Sequence, residues 1–288
     1  MKKTLIALAV AASAVVSGSS VAALGGWTEG QPNGSIDIGG TITNQKSDMK
    51  WLWAVGEGMN NYEHTVSQLS NGGTELTVSI DNDTPFLAAK MNKAVRAPIT
   101  GIIPKVELTS YDQSVAAMNF QSESSATLTV KVKDGNNDTQ IGELVIPLEV
   151  GAGGVTYDNT SSGANFVRLL VGGAGTMLEG IVKPDASSTP SIALKWSGVT
   201  TDDIKNELIA SYTTVNEVTT LNSVGVNNSS WVNYADLSHG NYLSTTNSRY
   251  VVYGAGIPAG SNLALTFNKP ITGETQWKAP VTVNVTYQ

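Results

Sequence analysis

The strongest constraint on this chain is a period-two alternation of apolar and polar residues, repeated in short runs. Examples are Glu75-Leu76-Thr77-Val78-Ser79-Ile80, Ala126-Thr127-Leu128-Thr129-Val130-Lys131-Val132 and Val281-Thr282-Val283-Asn284-Val285-Thr286-Tyr287. Successive side chains of a strand point to opposite faces, so each run turns one apolar face to a core and one polar face to water. Runs rich in Val, Thr and Tyr, punctuated by Gly, Asn, Asp and Ser, predict an all-β sandwich or barrel. Segments 126–133 and 141–148 flank Asp134-Gly135-Asn136-Asn137-Asp138 and read as a hairpin. Pro147 in the second of these strands predicts an edge position or a bulge, because proline has no N–H to give a ladder. Trp51 and Trp53 share one strand face, with core packing as their expected role, and Trp196 is also expected to be structural.

Two short helices are expected within this pattern. Met59, Tyr62, Val66 and Leu69 fall on one helical face, and Asn71-Gly72-Gly73 would stop that helix. Thr200-Thr201-Asp202-Asp203 supplies an N-cap with acids in the first turn, followed by an apolar stripe of Ile204, Leu208 and Ile209. Between about Gly151 and Gly240 the alternation weakens and glycines cluster. This stretch is read as a long insertion on the β scaffold, of the kind that is usually functional or disordered.

Lys2 and Lys3, the apolar run Leu5 to Val16 and the small residues Ser17 to Ala23 make a secretory signal peptide, residues 1–22, with cleavage after Ala22 or Ala23. The apolar run is too short to span a bilayer. Removing it leaves roughly 265 residues, enough for one large β domain or two small ones. Loss of Lys2 and Lys3 takes the formal charge from -7 to -9. Such a chain, with no basic cluster, is a poor partner for nucleic acid or anionic membranes. There is no cysteine, so the fold relies on its core and ladders, and thiolate zinc sites are excluded.

The termini carry an assembly signal. Residues 23–45 form a Gly-rich extension that ends in Ser35-Ile36-Asp37-Ile38-Gly39-Gly40-Thr41-Ile42-Thr43, with Ile36, Ile38, Gly40 and Ile42 on one face. The glycine in an apolar face suggests close passage of another backbone. This suits donor-strand complementation, in which a neighbour's segment completes an open sheet. An ordinary first strand of the chain's own domain has the same pattern. At the other end the chain stops inside a strand. Val281, Val283 and Val285 share a face and Tyr287 is penultimate, leaving a strand available to a chaperone.

Gly34-Ser35-Ile36-Asp37-Ile38-Gly39-Gly40-Thr41-Ile42-Thr43, Lys50-Trp51-Leu52-Trp53-Ala54-Val55-Gly56-Glu57-Gly58 and Gln276-Trp277-Lys278-Ala279-Pro280-Val281-Thr282-Val283 resemble the major-subunit adhesins of kappa-class chaperone–usher fimbriae from enterotoxigenic enterobacteria. Ala235-Asp236-Leu237-Ser238-His239 is similar to one branch of that family. The resemblance covers most of the mature chain and is looser over 155–230. It implies an incomplete immunoglobulin-like sandwich over 46–288, with the insertion at about 151–240 as the adhesive part. It also implies a periplasmic chaperone that anchors the carboxylate of Gln288, an outer-membrane usher, identical subunits in a surface fimbria and a host carbohydrate receptor. Fimbrial subunits often have glycine fourteen residues from the end, where this chain has Thr275.

A sugar site needs an aromatic face and hydrogen-bonding side chains. Trp231, Tyr234 and Tyr242 are the candidate platforms, with Asn233, Asp236, His239 and Asn241 as polar partners. A loop whose aromatics pack on the sandwich reads the same way. Tyr157-Asp158-Asn159 is a weaker candidate. Catalytic, metal and cofactor sites are not expected. Asp236, Ser238 and His239 are too close in sequence for a triad. The Asp134 loop lacks the glycine and bidentate Glu of a calcium loop, having Thr139 and Val145 there. An outer-membrane β-barrel is the alternative fold, although its strands would need to be longer.

Overall fold

The computed structural model describes residues 28–29, 34–36, 41–42, 50–95, 102–157, 164–170, 176–184, 189–211, 226–227, 234–236 and 248–287. In chain order the strands are β1 (Thr28–Glu29), β2 (Gly34–Ile36), β3 (Thr41–Ile42), β4 (Trp51–Val55), β5 (Glu75–Ser79), β6 (Thr84–Met91), β7 (Pro104–Ser110), β8 (Met118–Phe120) and β9 (Ser125–Asp134). They continue as β10 (Gln140–Tyr157), β11 (Ala164–Leu170), β12 (Val226–Asn227), β13 (Tyr234–Asp236), β14 (Ser248–Ile257), β15 (Asn262–Phe267), β16 (Trp277–Lys278) and β17 (Val281–Tyr287). Helices α1 (Pro190–Ser197) and α2 (Thr201–Ala210) follow one another between β11 and β12.

The spine of the fold is β10, 18 residues long. Its first half pairs with β9 along one edge and with β15 along the other. Its second half pairs with β11 and β14 in the same two places. Strands β15 and β14 are flanked in turn by β5 and β6, and β4 lies outside β6. One long strand therefore joins two antiparallel arrays. A separate sheet runs β3-β2-β17-β7. Inward residues of β4, β5, β6, β7, β9, β10, β14, β15 and β17, among them Leu128, Val130, Leu144, Ile146, Leu108, Val281 and Val283, merge into one apolar cluster. This is the layered core expected of a sandwich.

The hairpin expected around residues 134–138 is present as β9 and β10. Asp134 N–H donates to the Thr139 carbonyl at 2.9 Å, and the Asp134 carboxylate accepts from Asn136 N–H at 2.7 Å. Pro147, expected at an edge or bulge, instead lies in a central strand opposite Thr127. On the other side, β10 pairs with β15 up to Val145 and with β14 from Glu149. The proline thus falls where the neighbour changes and the ladder is interrupted. The sheets do not close: the longest path runs from β1 to β12, and β17 lies in a separate sheet. The described residues thus form an open, mostly β architecture with a helical segment, consistent with an incomplete immunoglobulin-like sandwich and not with a barrel.

The helix expected over Met59–Leu69 is absent. Only one 3₁₀ turn forms there, Val66–Gln68, closed by Thr65 N–H donating to Gln68 Oε1 at 2.7 Å. Met59 is buried and Tyr62 and Leu69 pack against the core, while Val66 is 44% exposed. The chain drapes over the scaffold and meets it at intervals that imitate a helical period. The helix expected after Thr200 is α2. Asp203 N–H donates to Thr200 Oγ1 at 3.1 Å, and Thr200 N–H returns a bond to the Asp203 carboxylate at 2.8 Å. These bonds hold the Asp203 carboxyl below its ordinary pKa. Ile204 and Leu208 are buried and Ile209 packs against the core.

Helix α1 was not anticipated, although Pro190 at its start and Gly198 after its end (φ +67°) are standard punctuation. It lies against β14, β10 and β6. Gly151, Gly254 and Gly256 form its floor. A Cβ on Gly151 would lie 2.6 Å from Ala193 N, one on Gly254 would lie 2.7 Å from the Ala193 carbonyl, and one on Gly256 would overlap the Trp196 indole. Trp196 is buried, and its Nε1 donates to Glu149 at 2.8 Å. Lys195 bridges Glu149 at 3.1 Å and Asp83 at 3.2 Å.

Candidate functional site

The C-terminal strand β17 alternates as expected: Val281, Val283 and Val285 are buried, and Thr282 and Asn284 face outward in part. One edge is fully paired with β7, from Val281↔Ser110 to Tyr287↔Pro104. The end of the strand is fastened across the core. Trp53 Nε1 donates to the Tyr287 hydroxyl at 3.0 Å, and Trp51 Nε1 to the Ile102 carbonyl at 2.7 Å. Trp51 and Trp53 are both buried, with ring centroids 6.1 Å apart, as expected of core residues.

Burial pushes the Tyr287 phenol up to about 12, with the Trp53 bond opposing in part. Burial also raises Tyr250 and Tyr253. A phenol with a raised folded pKa favours folding below its ordinary pKa, and this contribution is lost as pH climbs towards the folded value. Thermal stability should therefore begin to fall above about pH 10. Absorbance at 295 nm should show these tyrosines ionising with the unfolding transition, after the exposed ones.

The second edge of β17 takes three residues of the N-terminal extension. Ile36 is opposite Val281, Ser35 opposite Thr282 and Gly34 opposite Val283, antiparallel. Ile42 does not reach β17; it pairs with Gly34 through β3. Ile38, Gly40 and Gln288 lie outside the described residues, as does the expected signal peptide. Among the described pairings, Asn284 to Tyr287 have β7 as their only ladder partner.

The sequence-derived sugar candidates are only partly within the described residues. Tyr234 and Asp236 belong to β13, which runs parallel to β11 with Tyr234 opposite Arg168 and Asp236 opposite Leu170. Trp231, Asn233, His239, Asn241 and Tyr242 lie outside them, as do Asp158 and Asn159. In the 134–138 turn, Asp134 and Asn137 accept from backbone N–H groups, and Asp138 pairs with Lys133 at 2.7 Å. These polar atoms are committed to the turn itself.

The family profile described as "Fimbrial, major and minor subunit" matches residues 1–288. The F41 fimbrial protein of Escherichia coli is 42% identical over 290 residues, covering 100% of both chains. The K88 fimbrial proteins AB and AD of the same organism are 34% and 33% identical, again over 100% of each chain. With a whole-length profile match, whole-length relatives and a sheet left open beside its last strand, this chain belongs to the family of fimbrial major and minor subunits.

Proposed function

We propose that this chain is both shaft subunit and adhesin of a surface fimbria, joined to identical copies by donor-strand exchange after delivery by a periplasmic chaperone and an outer-membrane usher. As a fimbrial subunit it is a structural protein, not an enzyme, exported through the periplasm to the cell surface. The observation that carries the assembly mechanism is the antiparallel pairing of Gly34–Ile36 with the outer edge of β17. That edge accepts this segment with Ile36 at the position opposite the buried Val281. A strand edge beside a tethered strand of matching pattern will capture it.

Within one chain the capture covers only Val281–Val283. A donor from another copy is free of the pairing with β3 and can slide. Moving the segment by six residues sets Ile42, Gly40, Ile38 and Ile36 opposite Val281, Val283, Val285 and Tyr287. The shift is even, so the same face stays inward. Gly40 then crosses Val283 where a larger side chain would crowd the core. In the chaperone complex the same edge and the Gln288 carboxylate would be held by the chaperone.

The adhesive role is proposed for the insertion at about 151–240, with Trp231, Tyr234, Asp236, His239, Asn241 and Tyr242 as the carbohydrate contacts. Its support is the aromatic, amide and carboxylate chemistry of residues 231–242.

A peptide spanning residues 35–43, added to a chain that lacks them, tests the exchange step. At a hundredfold excess over its Kd it should stabilise the chain by about 2.7 kcal/mol, or roughly 5–10 °C in Tm for a domain of this size. The same peptide with aspartate at position 38 should have little effect. Equal shifts from both peptides would rule out the inward isoleucine face.

A further inference from the structure

Away from both sites just described, a cleft of about 680 Å³ opens between the segment after β4 and the segment that leads into β16. Both belong to the scaffold and neither to residues 151–240. Tyr62 and Trp277 are its aromatic wall, with ring planes parallel to within 2° and centroids 6.4 Å apart, an offset stack. Both rings are only partly buried. His64, Glu274 and Gln276 also line the cleft, and the exposed Val66 stands at its rim. His64 Nδ1 is shielded from solvent and has no hydrogen-bond partner among the described residues.

These features point to a ligand. A volume of this size lies within the range of small-molecule sites. Flat apolar rings beside amide, carboxylate and imidazole groups match a pyranose, which has an apolar C–H face and a rim of hydroxyls. A peptide strand is the poorer fit. The cleft is walled mostly by irregular segments, and β16 is paired to β9 along Trp277 and Lys278.

We propose that this cleft is a second carbohydrate site, in which a neutral sugar ring lies on the Tyr62–Trp277 pair beside the His64 side chain. It stands independently of the insertion and of the exchange mechanism. The side chains of Glu274 and Gln276 supply further acceptors and donors for hydroxyls. Val66 at the rim covers the apolar edge of a following sugar unit.

The chain has two histidines, His64 and His239, and each reports one candidate site. The full-length chain, labelled with ¹⁵N at its imidazoles, is titrated with methyl glycosides of the common neutral hexoses and N-acetylhexosamines and followed by long-range ¹H–¹⁵N spectra. At least one glycoside should move the His64 signals saturably. Gln276→Ala and Trp277→Ala should each raise its Kd at least tenfold. Gln276→Ala sits on an exposed, irregular segment, leaves the His64 reporter in place and keeps the test decisive if Trp277→Ala folds poorly. Movement of His239 alone would overturn the second site and support the insertion. Movement of neither would overturn this site too, without bearing on fibre assembly, which the peptide experiment reads separately.

Discussion

Removal of residues 23–43 should yield a subunit that still folds in its chaperone complex but forms no fibres. Among the described residues the apolar cluster begins at Trp51, and the deletion removes none of these members. What is lost is the strand that closes the outer edge of β17. Ile36, Ile38 and Ile42 would contribute about 1.5–3 kcal/mol each on full burial. Each main-chain hydrogen bond adds about 0.5–1.5 kcal/mol net. Ordering the segment offsets part of that total. No other described element can replace it, because β7 already occupies the opposite edge of β17 along its whole length. Point changes give a sharper version. Ile38→Asp should reduce fibre yield almost as far as the deletion, whereas Asp37→Ser, on the opposite face, should assemble normally. Electron microscopy of cells expressing each variant with chaperone and usher reads the outcome. Fibres of ordinary abundance from the deletion would exclude donor-strand exchange through this segment.

Gly256→Val should strongly destabilise the scaffold. A Cβ at this position overlaps the Trp196 indole, whose Nε1 is fixed on Glu149 at 2.8 Å. Neither the ring nor the strand can move freely. Gly256 pairs with Glu149 on one side and with Pro85 on the other. Overpacking of a close-packed site costs roughly 1–3 kcal/mol, and the two further carbons of valine put this case at the upper end or above. The expected result is a fall in Tm of about 6–12 °C, with Lys195 leaving its bridge to Glu149 and Asp83. Combining Gly256→Val with Trp196→Ala should cost less than the sum of the two single changes, because the second removes the clash created by the first. Thermal melts of the four proteins measure this coupling. Strict additivity would show that α1 is not seated on the glycine.

Strand character was readable because alternation is a local signal: Leu128, Val130 and Val132 face the core as their spacing requires, and so do Val281, Val283 and Val285. Helix α2 was readable from Thr200 and Asp203, whose capping chemistry lies within four consecutive residues. Met59, Tyr62, Val66 and Leu69 misled because a loop that touches a core at intervals has the same spacing as a helix face. Helix α1 escaped notice because its apolar stripe is short and its supporting glycines, 151, 254 and 256, are distant in sequence. Pro147 misled because a strand can change neighbours in mid-course, a property of topology that no residue announces. The Tyr62–Trp277 cleft was invisible for the same reason: its two walls are joined only by the fold.

The bond from Trp53 to Tyr287 spans 234 positions of sequence. A chain threaded through a membrane from its N-terminus carries Trp53 out long before Tyr287. Until β17 has emerged, the valine face that completes the hydrophobic interior is missing, and the exposed interior can aggregate. Maturation is therefore tied to the emergence of β17, and a binding protein that grips this strand as it appears reaches the chain at the moment when collapse first becomes possible.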